Sequence, residues 1–169
     1  MLKSEYTKLD STYFNKLYVS ILQNFEFELN SSKLVKQLST TDNALRHSDE
    51  YVIVYFTDET CTNCVVKIAM DLEILFTNIG RTEVVLVGNY EDTQKFNEFT
   101  NNILPKYTSS ILIPSPITFN GKKIIEPLIF IMNSQKELKF LFFPERYPEL
   151  RQIYFNEILK NYFLGIHQL

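Results

Sequence analysis

The chain has 169 residues, 45% of them hydrophobic and 22% charged, a composition typical of one globular domain rather than of a disordered polypeptide. A formal net charge of −3 gives no electrostatic reason to expect nucleic acid as a partner. The four glycines are too widely spaced for a dinucleotide fingerprint or a phosphate-binding loop. No transmembrane segment is predicted, because the densest apolar stretch, residues 124–132, is short and contains Glu126 and Pro127.

The chain is predicted to consist of a helical N-terminal extension, residues 1–48, packed on a core domain of residues 49–169. Residues 12–27 carry apolar side chains at helical spacing and predict an amphipathic helix. A shorter helix is predicted over residues 31–45, where a polar start offers several N-caps. The start of the chain is polar and charged, without the apolar stretch of a secretory signal.

The segment from Tyr51 to Phe56 is almost entirely β-branched or aromatic and does not alternate with polar residues. Such a run is typical of a strand that is buried on both faces at the centre of a sheet. Two cysteines, Cys61 and Cys64, follow it, and an apolar stripe at helical spacing then runs to Gly80, a predicted C-cap. The segment therefore predicts a strand, a turn that carries the cysteines, and a long helix.

The rest of the chain predicts a second buried strand, a helix, a loop, two strands and a last helix, at residues 84–87, 91–104, 107–120, 128–132, 138–143 and 148–163. A short polar turn between the last two strands predicts an antiparallel hairpin. Lys122 and Lys123 are predicted to lie in a solvated turn. The alternation of strands and helices implies parallel crossovers, so the expected fold class is α/β, with a central mixed sheet flanked by helices.

The two cysteines lie three residues apart at the start of the predicted helix. Cβ atoms at such positions are about 5–6 Å apart, and a disulfide needs roughly 3.5–4.5 Å, so a modest adjustment closes the bond. Cys61 lies beside the unpaired backbone N–H groups of the helix start, which predicts an attacking thiolate. Cys64, one turn deeper, is predicted to be shielded, to have a higher pKa and to act as the resolving thiol.

Two other interpretations of the cysteine pair stay open. A zinc site needs about four ligands, and the two histidines, His47 and His167, lie far from the pair in sequence. The cysteines could also be two inert core thiols. In addition, Asp58 and Glu59 precede the pair, and their negative charges are expected to disfavour a thiolate at the first cysteine.

The chain resembles the thioredoxin-like superfamily over residues 51–163, in the segments YVIVYFTDETCTNC, LIFIM, NSQK and LKFLFF. The likeness is greatest to its extracytoplasmic thiol-disulfide oxidoreductase branch, which carries extra residues between the second core helix and the strand opened by proline. The resemblance implies a thioredoxin-like three-layer fold and thiol-disulfide exchange with protein thiols or disulfides and a redox partner protein. It implies an extracytoplasmic location if a signal has been trimmed, and a cytoplasmic one otherwise.

The resemblance also implies the residues of the site. Cys61 and Cys64 would form a redox-active disulfide, with no bound cofactor and no metal. Pro127, rather than Pro116, would open the third core strand through a cis peptide bond beside the sulfurs, because a hairpin and a final helix follow it. Glu126 would contact substrate through its backbone. The remaining substrate-binding positions would be Thr60, Thr62 and Asn63.

The sequence departs from this family in three places. Thr60 stands where the family usually has tryptophan, and Thr62 and Asn63 replace the usual glycine-proline or proline-proline pair. Tyr55 occupies the position at which thioredoxins carry a buried acid. These departures keep a second function open, that of a binding or assembly domain with the same fold and with weak or no redox cycling.

Overall fold

The computed structural model describes residues 35–38, 50–79, 84–103, 108–119, 121–133, 135 and 137–165. The helix predicted over residues 12–27 lies outside this part of the chain, as does most of the one predicted over residues 31–45. Residues 35–38 form a helical turn, and Leu38 is completely buried in the core.

Seven strands and three helical segments follow in the described part: β1 (Tyr51–Thr57), α1 (Thr62–Ile79), β2 (Val84–Asn89), α2 (Thr93–Ile103), β3 (Thr108–Leu112), β4 (Thr118–Phe119), β5 (Lys122–Lys123), β6 (Leu128–Met132), β7 (Leu138–Phe142) and α3 (148–163). Helix α3 changes its winding along its length, from 3₁₀ (Pro148–Leu150) to α (Arg151–Ile153), π (Tyr154–Leu159) and α again (Lys160–Phe163). None of these helices has the length and apolar character needed to cross a membrane.

Five of the strands form one mixed sheet in the order β3-β2-β1-β6-β7. Strand β1 pairs in parallel with β2, and β2 pairs in parallel with β3. Strand β6 is antiparallel to β1, and β7 is antiparallel to β6. The predicted mixed α/β architecture is therefore confirmed, with the strand that precedes the cysteines at the centre of the sheet.

The helices α1, α2 and α3 all pack on one face of this sheet, in a core cluster that includes side chains of β1, β2, β6 and β7. Two successive parallel crossovers run in the same direction across the sheet, which places α1 and α2 on the same side. The opposite face is covered by Leu38 and by isoleucines that belong to β3 and to the segment after it: Ile111, Ile113, Ile117 and Ile124.

The strand-turn-helix unit at the centre of the sheet is confirmed. Every residue of β1 is buried, as its unbroken apolar sequence predicts. Helix α1 buries the predicted stripe: Val65, Ile68, Ala69, Leu72, Leu75 and Phe76. Strand β2 continues two residues beyond its predicted end, because Gly88 and Asn89 keep the parallel pairing with β1. Gly88 also leaves room for the ring of Phe96, which would lie 2.2 Å from a Cβ atom at that position.

The prediction of a loop over residues 107–120 is wrong. This stretch contains the edge strand β3, whose sequence, TSSIL, is a weak strand former and is held by its parallel pairing with β2. It also contains β4, which forms a small antiparallel hairpin with β5. The same pairing corrects the prediction of a turn at Lys122 and Lys123, because these two residues make up β5.

The predicted β6–β7 hairpin is confirmed, with a bulge in β7. The register shifts by one residue between Ile129 and Ile131, and Phe140 has a positive φ of 52°. The Phe140 carbonyl accepts a hydrogen bond of 2.7 Å from the hydroxyl of Tyr154 on α3. The ring of Tyr154 also stacks on Phe142 at 4.4 Å between centroids, so the bulge fits β7 to the helix that follows it.

Candidate functional site

Cys61 immediately precedes α1 and occupies its N-cap position. Its carbonyl accepts hydrogen bonds from the N–H groups of Cys64, at 3.0 Å, and of Val65, at 3.3 Å, and these bonds begin the helix. Both cysteines are free thiols; Cys61 is exposed, and Cys64 is half-buried in the first helical turn. The predicted placement of one accessible thiol and one shielded thiol is therefore confirmed.

The two thiols differ in their electrostatic surroundings. The pKa of Cys61 is lowered, chiefly because the Cys64 thiol donates a hydrogen bond to it and because backbone N–H groups of Cys64 and Asn63 point toward it. Burial raises the pKa of Cys64 to about 12, and the Cys61 sulfur and the Glu145 carboxylate contribute to this increase.

A carboxylate from a distant part of the chain also acts on the two thiols. Glu145 lies in the turn between β7 and α3, and its negative charge raises the pKa of both thiols. The sequence analysis missed Glu145, because nothing in the local sequence PERYPE indicates that this turn folds against the cysteines.

The two acids that precede the cysteines are paired with a lysine. The ammonium group of Lys123 on β5 lies 2.8 Å from the Glu59 carboxylate and 3.7 Å from that of Asp58. The carboxylate whose charge raises the pKa of Cys61 is Glu145, so the prediction that Asp58 and Glu59 oppose the thiolate named the wrong acids. The error has a tertiary cause, because Lys123 reaches this turn only through the β4–β5 hairpin.

Thr60 is buried and connects the cysteine turn to the segment before β6. Its hydroxyl donates a hydrogen bond of 2.7 Å to the carbonyl of Ile125 and accepts one of 2.8 Å from the N–H of Thr57. The Thr57 hydroxyl in turn accepts a hydrogen bond of 3.2 Å from the N–H of Glu59. These bonds fix the turn that carries Cys61. They also engage the side chain of Thr60, which was predicted to contact substrate.

Glu126, predicted to contact substrate through its backbone, has its carboxylate in an ion pair with the guanidinium group of Arg146. Arg146 also packs over the ring of Phe143, with 4.4 Å between the guanidinium carbon and the ring centroid. Because Arg146 is next to Glu145 in the chain, this ion pair brings the segment before β6 to the turn that follows β7. The two segments therefore border the cysteine pair together.

Pro127 is buried at the start of β6. The described residues contain no cis peptide bond, so the bond between Glu126 and Pro127 is trans, and the prediction of a cis bond there is wrong. The trans form is the favoured isomer of bonds to proline by about 0.5–1 kcal/mol. In this form the segment still reaches the cysteine turn, through the hydrogen bond from Thr60 to the carbonyl of Ile125.

The remaining predicted substrate-binding residues, Thr62 and Asn63, lie in the first turn of α1 and are exposed beside Cys61. The backbone of Asn63 contributes to the lowered pKa of that cysteine. Within the described ranges, no group of three or more histidine, cysteine, aspartate or glutamate side chains could hold a metal ion. His47 and His167 lie outside those ranges.

Comparisons of this chain with protein-family models, with curated proteins and with solved structures found no match. The fold and the site define a mixed α/β domain with two free thiols at the start of one helix. One thiol is exposed and has a lowered pKa, whereas the other is shielded and has a raised pKa. The charge of the Glu145 carboxylate raises the pKa of both thiols.

Proposed function

We propose that the protein is a thioredoxin-like oxidoreductase that exchanges thiols and disulfides with other proteins. The observation that supports this most directly is the inequality of the two thiols at the start of α1. Thiol-disulfide exchange needs a nucleophile that is accessible and partly ionised, and a second thiol close enough to displace the partner. Cys61 is exposed and has a lowered pKa, as the nucleophile requires, and Cys64 lies one helical turn away, where the second thiol is needed.

The topology of the sheet supports the thioredoxin-like part of the proposal. The unit β1–α1–β2 is followed by a helix, by the β6–β7 hairpin and by α3, which is the order that the sequence resemblance implies. The hairpin lies on the other side of β1 from β2. Strands β3, β4 and β5 fill the stretch between α2 and β6, the place where the extracytoplasmic branch carries extra residues.

In the first step of the proposed reaction, the Cys61 thiolate attacks one sulfur of a disulfide in a partner protein. A bond forms between Cys61 and that sulfur, the disulfide of the partner breaks, and its second sulfur leaves with the electron pair and takes a proton from solvent. The partner approaches over the exposed first turn of α1, where Thr62 and Asn63 flank Cys61.

In the second step, Cys64 attacks the Cys61 sulfur of the mixed disulfide. The S–H bond of Cys64 breaks, its proton passes to the Glu145 carboxylate, and the sulfur forms the bond to Cys61 while the partner sulfur leaves as a thiolate. The protein loses two electrons and the partner gains them, so the proposed reaction needs no bound cofactor. The reverse sequence transfers a disulfide to the partner.

The carboxylate in this proposal comes from a different element than the family position suggests. Tyr55, at the position of the thioredoxin acid, lies on the face of the sheet opposite α1. Its hydroxyl accepts a hydrogen bond of 3.1 Å from the N–H of Ile117, and burial raises its pKa to about 12. Tyr55 therefore anchors the segment that covers the second face, and Glu145 is the acid placed to receive the proton.

The test of this function separates the roles of the two cysteines. Reduced Cys64→Ala protein incubated with insulin, used as a general protein disulfide, should accumulate a mixed disulfide, because its nucleophile is intact and its resolving thiol is gone. Cys61→Ala should form none. The adducts are measured by intact mass spectrometry after an acid quench.

Two results would contradict the proposal. Equal adduct formation by both variants would show that the roles are not divided between an attacking and a resolving thiol. Wild-type thiols that both remain open to alkylation after mild oxidation would show that the pair does not form a disulfide at all. In that case the second candidate, a binding domain without redox cycling, would be favoured.

A further inference from the structure

Arg151, at the start of the α-helical part of α3, connects the cysteine helix to the turn that carries Glu145. Its Nε atom lies 2.7 Å from Oδ2 of Asp71 on α1, and its Nη1 atom lies 3.8 Å from Oε1 of Glu145. The Arg151 side chain is only 15% exposed, whereas that of Glu145 is 37% exposed. A largely buried cation, anchored on α1, therefore lies beside the carboxylate whose charge acts on both cysteines.

This arrangement restrains a side chain that would otherwise turn toward water. A carboxylate is better solvated in water than beside a half-buried thiol. A guanidinium group offsets that preference because it is always charged and because its planar array of donors can serve two carboxylates at once. Packing further limits the arginine, whose guanidinium carbon lies 6.0 Å from the centroid of the Phe155 ring.

We propose that Arg151, anchored by Asp71, is a positioning residue for the second step of exchange, in which it holds the Glu145 carboxylate against the Cys64 thiol. The inference rests on the proposed function and adds to it the group that controls the proton transfer. Arg151 acts through Glu145, so it governs the breaking of the S–H bond of Cys64 and leaves the earlier attack by Cys61 to proceed without it.

The two steps are separated by mixing the full, reduced chain with one equivalent of dithiobis(nitrobenzoate), a disulfide whose released thiolate is coloured. The first release of colour reports the attack by Cys61, and the second reports its displacement by Cys64. General-base catalysis accelerates a reaction by about 10²–10⁴-fold and depends on the positioning of the base. Arg151→Gln should lose part of this acceleration, so its second release should be roughly tenfold slower than that of the wild type. The first release should remain fast.

Matched variants show whether the charge and place of Arg151 matter. Arg151→Lys keeps the positive charge and should recover part of the rate. Lys139→Gln removes a cation of β7 that pairs with Glu137 instead, away from the turn that carries Glu145, and it should leave the second release unchanged. The rate of the second release should rise less steeply with pH in the wild type than in Arg151→Gln, where hydroxide must replace the carboxylate as base.

A double-mutant cycle distinguishes positioning from general destabilisation. In a Glu145→Gln background, Arg151→Gln should cause no further slowing of the second release, because the group through which it acts is gone. The inference would be overturned if the two substitutions slowed the second release additively, or if Arg151→Gln alone released at the wild-type rate. A normal first release would still support the exchange reaction in either case. If Arg151→Gln does not fold, Asp71→Asn must slow the second release, and an unchanged rate there would also overturn the inference.

Failure of the proposed function gives a different result. A wild-type chain that releases no colour has no reactive nucleophile, and both the exchange reaction and the positioning role are then wrong. A wild-type chain that releases one equivalent and stops has a nucleophile without a resolving thiol. That outcome overturns the second step and the role of Arg151 together, and it leaves the attack by Cys61 standing.

Discussion

Two acidic turns border the cysteine pair, and they act on it differently. The turn before Cys61 carries Asp58 and Glu59, whose carboxylates are paired with Lys123. The turn after β7 carries Glu145, whose negative charge raises the pKa of both thiols. The comparison shows that nearness along the chain does not decide which charge acts on a thiolate; the position of the carboxylate and of its counterion decides it.

The two turns also differ in how they are held. The first is fixed largely by neutral, buried hydrogen bonds between Thr57 and Thr60, together with the bond from Thr60 to the segment before β6. The second is held by the ion pairs of Arg146 with Glu126 and of Arg151 with Glu145. We infer that the first turn presents the nucleophile and that the second takes part in its chemistry.

Removing the charge of the second turn is the change with the largest expected effect. Glu145→Gln should shift the pKa of Cys61 down, since a negative charge that disfavours the thiolate is lost, so the midpoint of Cys61 alkylation moves to lower pH. The same variant should slow resolution by Cys64 by up to about 10²-fold, because burial keeps the pKa of that thiol high and the proposed proton acceptor is gone. Attack and resolution should thus change in opposite directions.

The control for this variant is the first turn. The double substitution Asp58→Asn with Glu59→Gln should leave both rates and the alkylation midpoint of Cys61 nearly unchanged. A midpoint that moved as far in this double variant as in Glu145→Gln would show that the contrast between the two turns is not real. Alkylation is followed from pH 5 to pH 10 by mass spectrometry, on the same reduced preparations.

The second prediction concerns stability and the first turn. Thr60→Val keeps the shape of the side chain and removes its hydroxyl, which leaves the buried N–H of Thr57 and the carbonyl of Ile125 without that partner. The free energy of unfolding should fall by about 1–3 kcal/mol, as measured by urea denaturation of the reduced protein. Thr62→Val, at an exposed position of α1, should change it by less than about 0.5 kcal/mol.

The smallest predicted effect concerns the lysine of the first turn. Lys123→Gln leaves Asp58 and Glu59 without their counterion, so the pKa of Cys61 should rise, by less than about half a unit, because these charges are exposed. The shift should shrink further in 1 M salt. Lys122→Gln, the neighbouring position of β5, is the matched control. A fall in the pKa of Cys61 in Lys123→Gln would contradict this interpretation of the first turn.

The parts of the fold that could be predicted from the sequence are those with a local cause. The unbroken apolar run of β1 and the apolar stripe of α1 determine a buried strand and a one-sided helix, since both patterns follow from the backbone repeat. The unequal thiols were also predictable, because Cys61 lies at a helix start and Cys64 one turn deeper, and the free N–H groups there are part of the helix itself.

The tertiary structure alone decided the features that depend on a distant partner. Strand β3 has too few apolar residues to be predicted, and its pairing with β2 makes it a strand. Lys123 neutralises the first turn only because a small hairpin carries it there. Glu145 acts on the pKa of Cys64 only because the turn that follows the β6–β7 hairpin lies near the start of α1. The effect of each charge on a thiolate depends on its distance from the sulfur, and the order of residues along the chain does not give these distances.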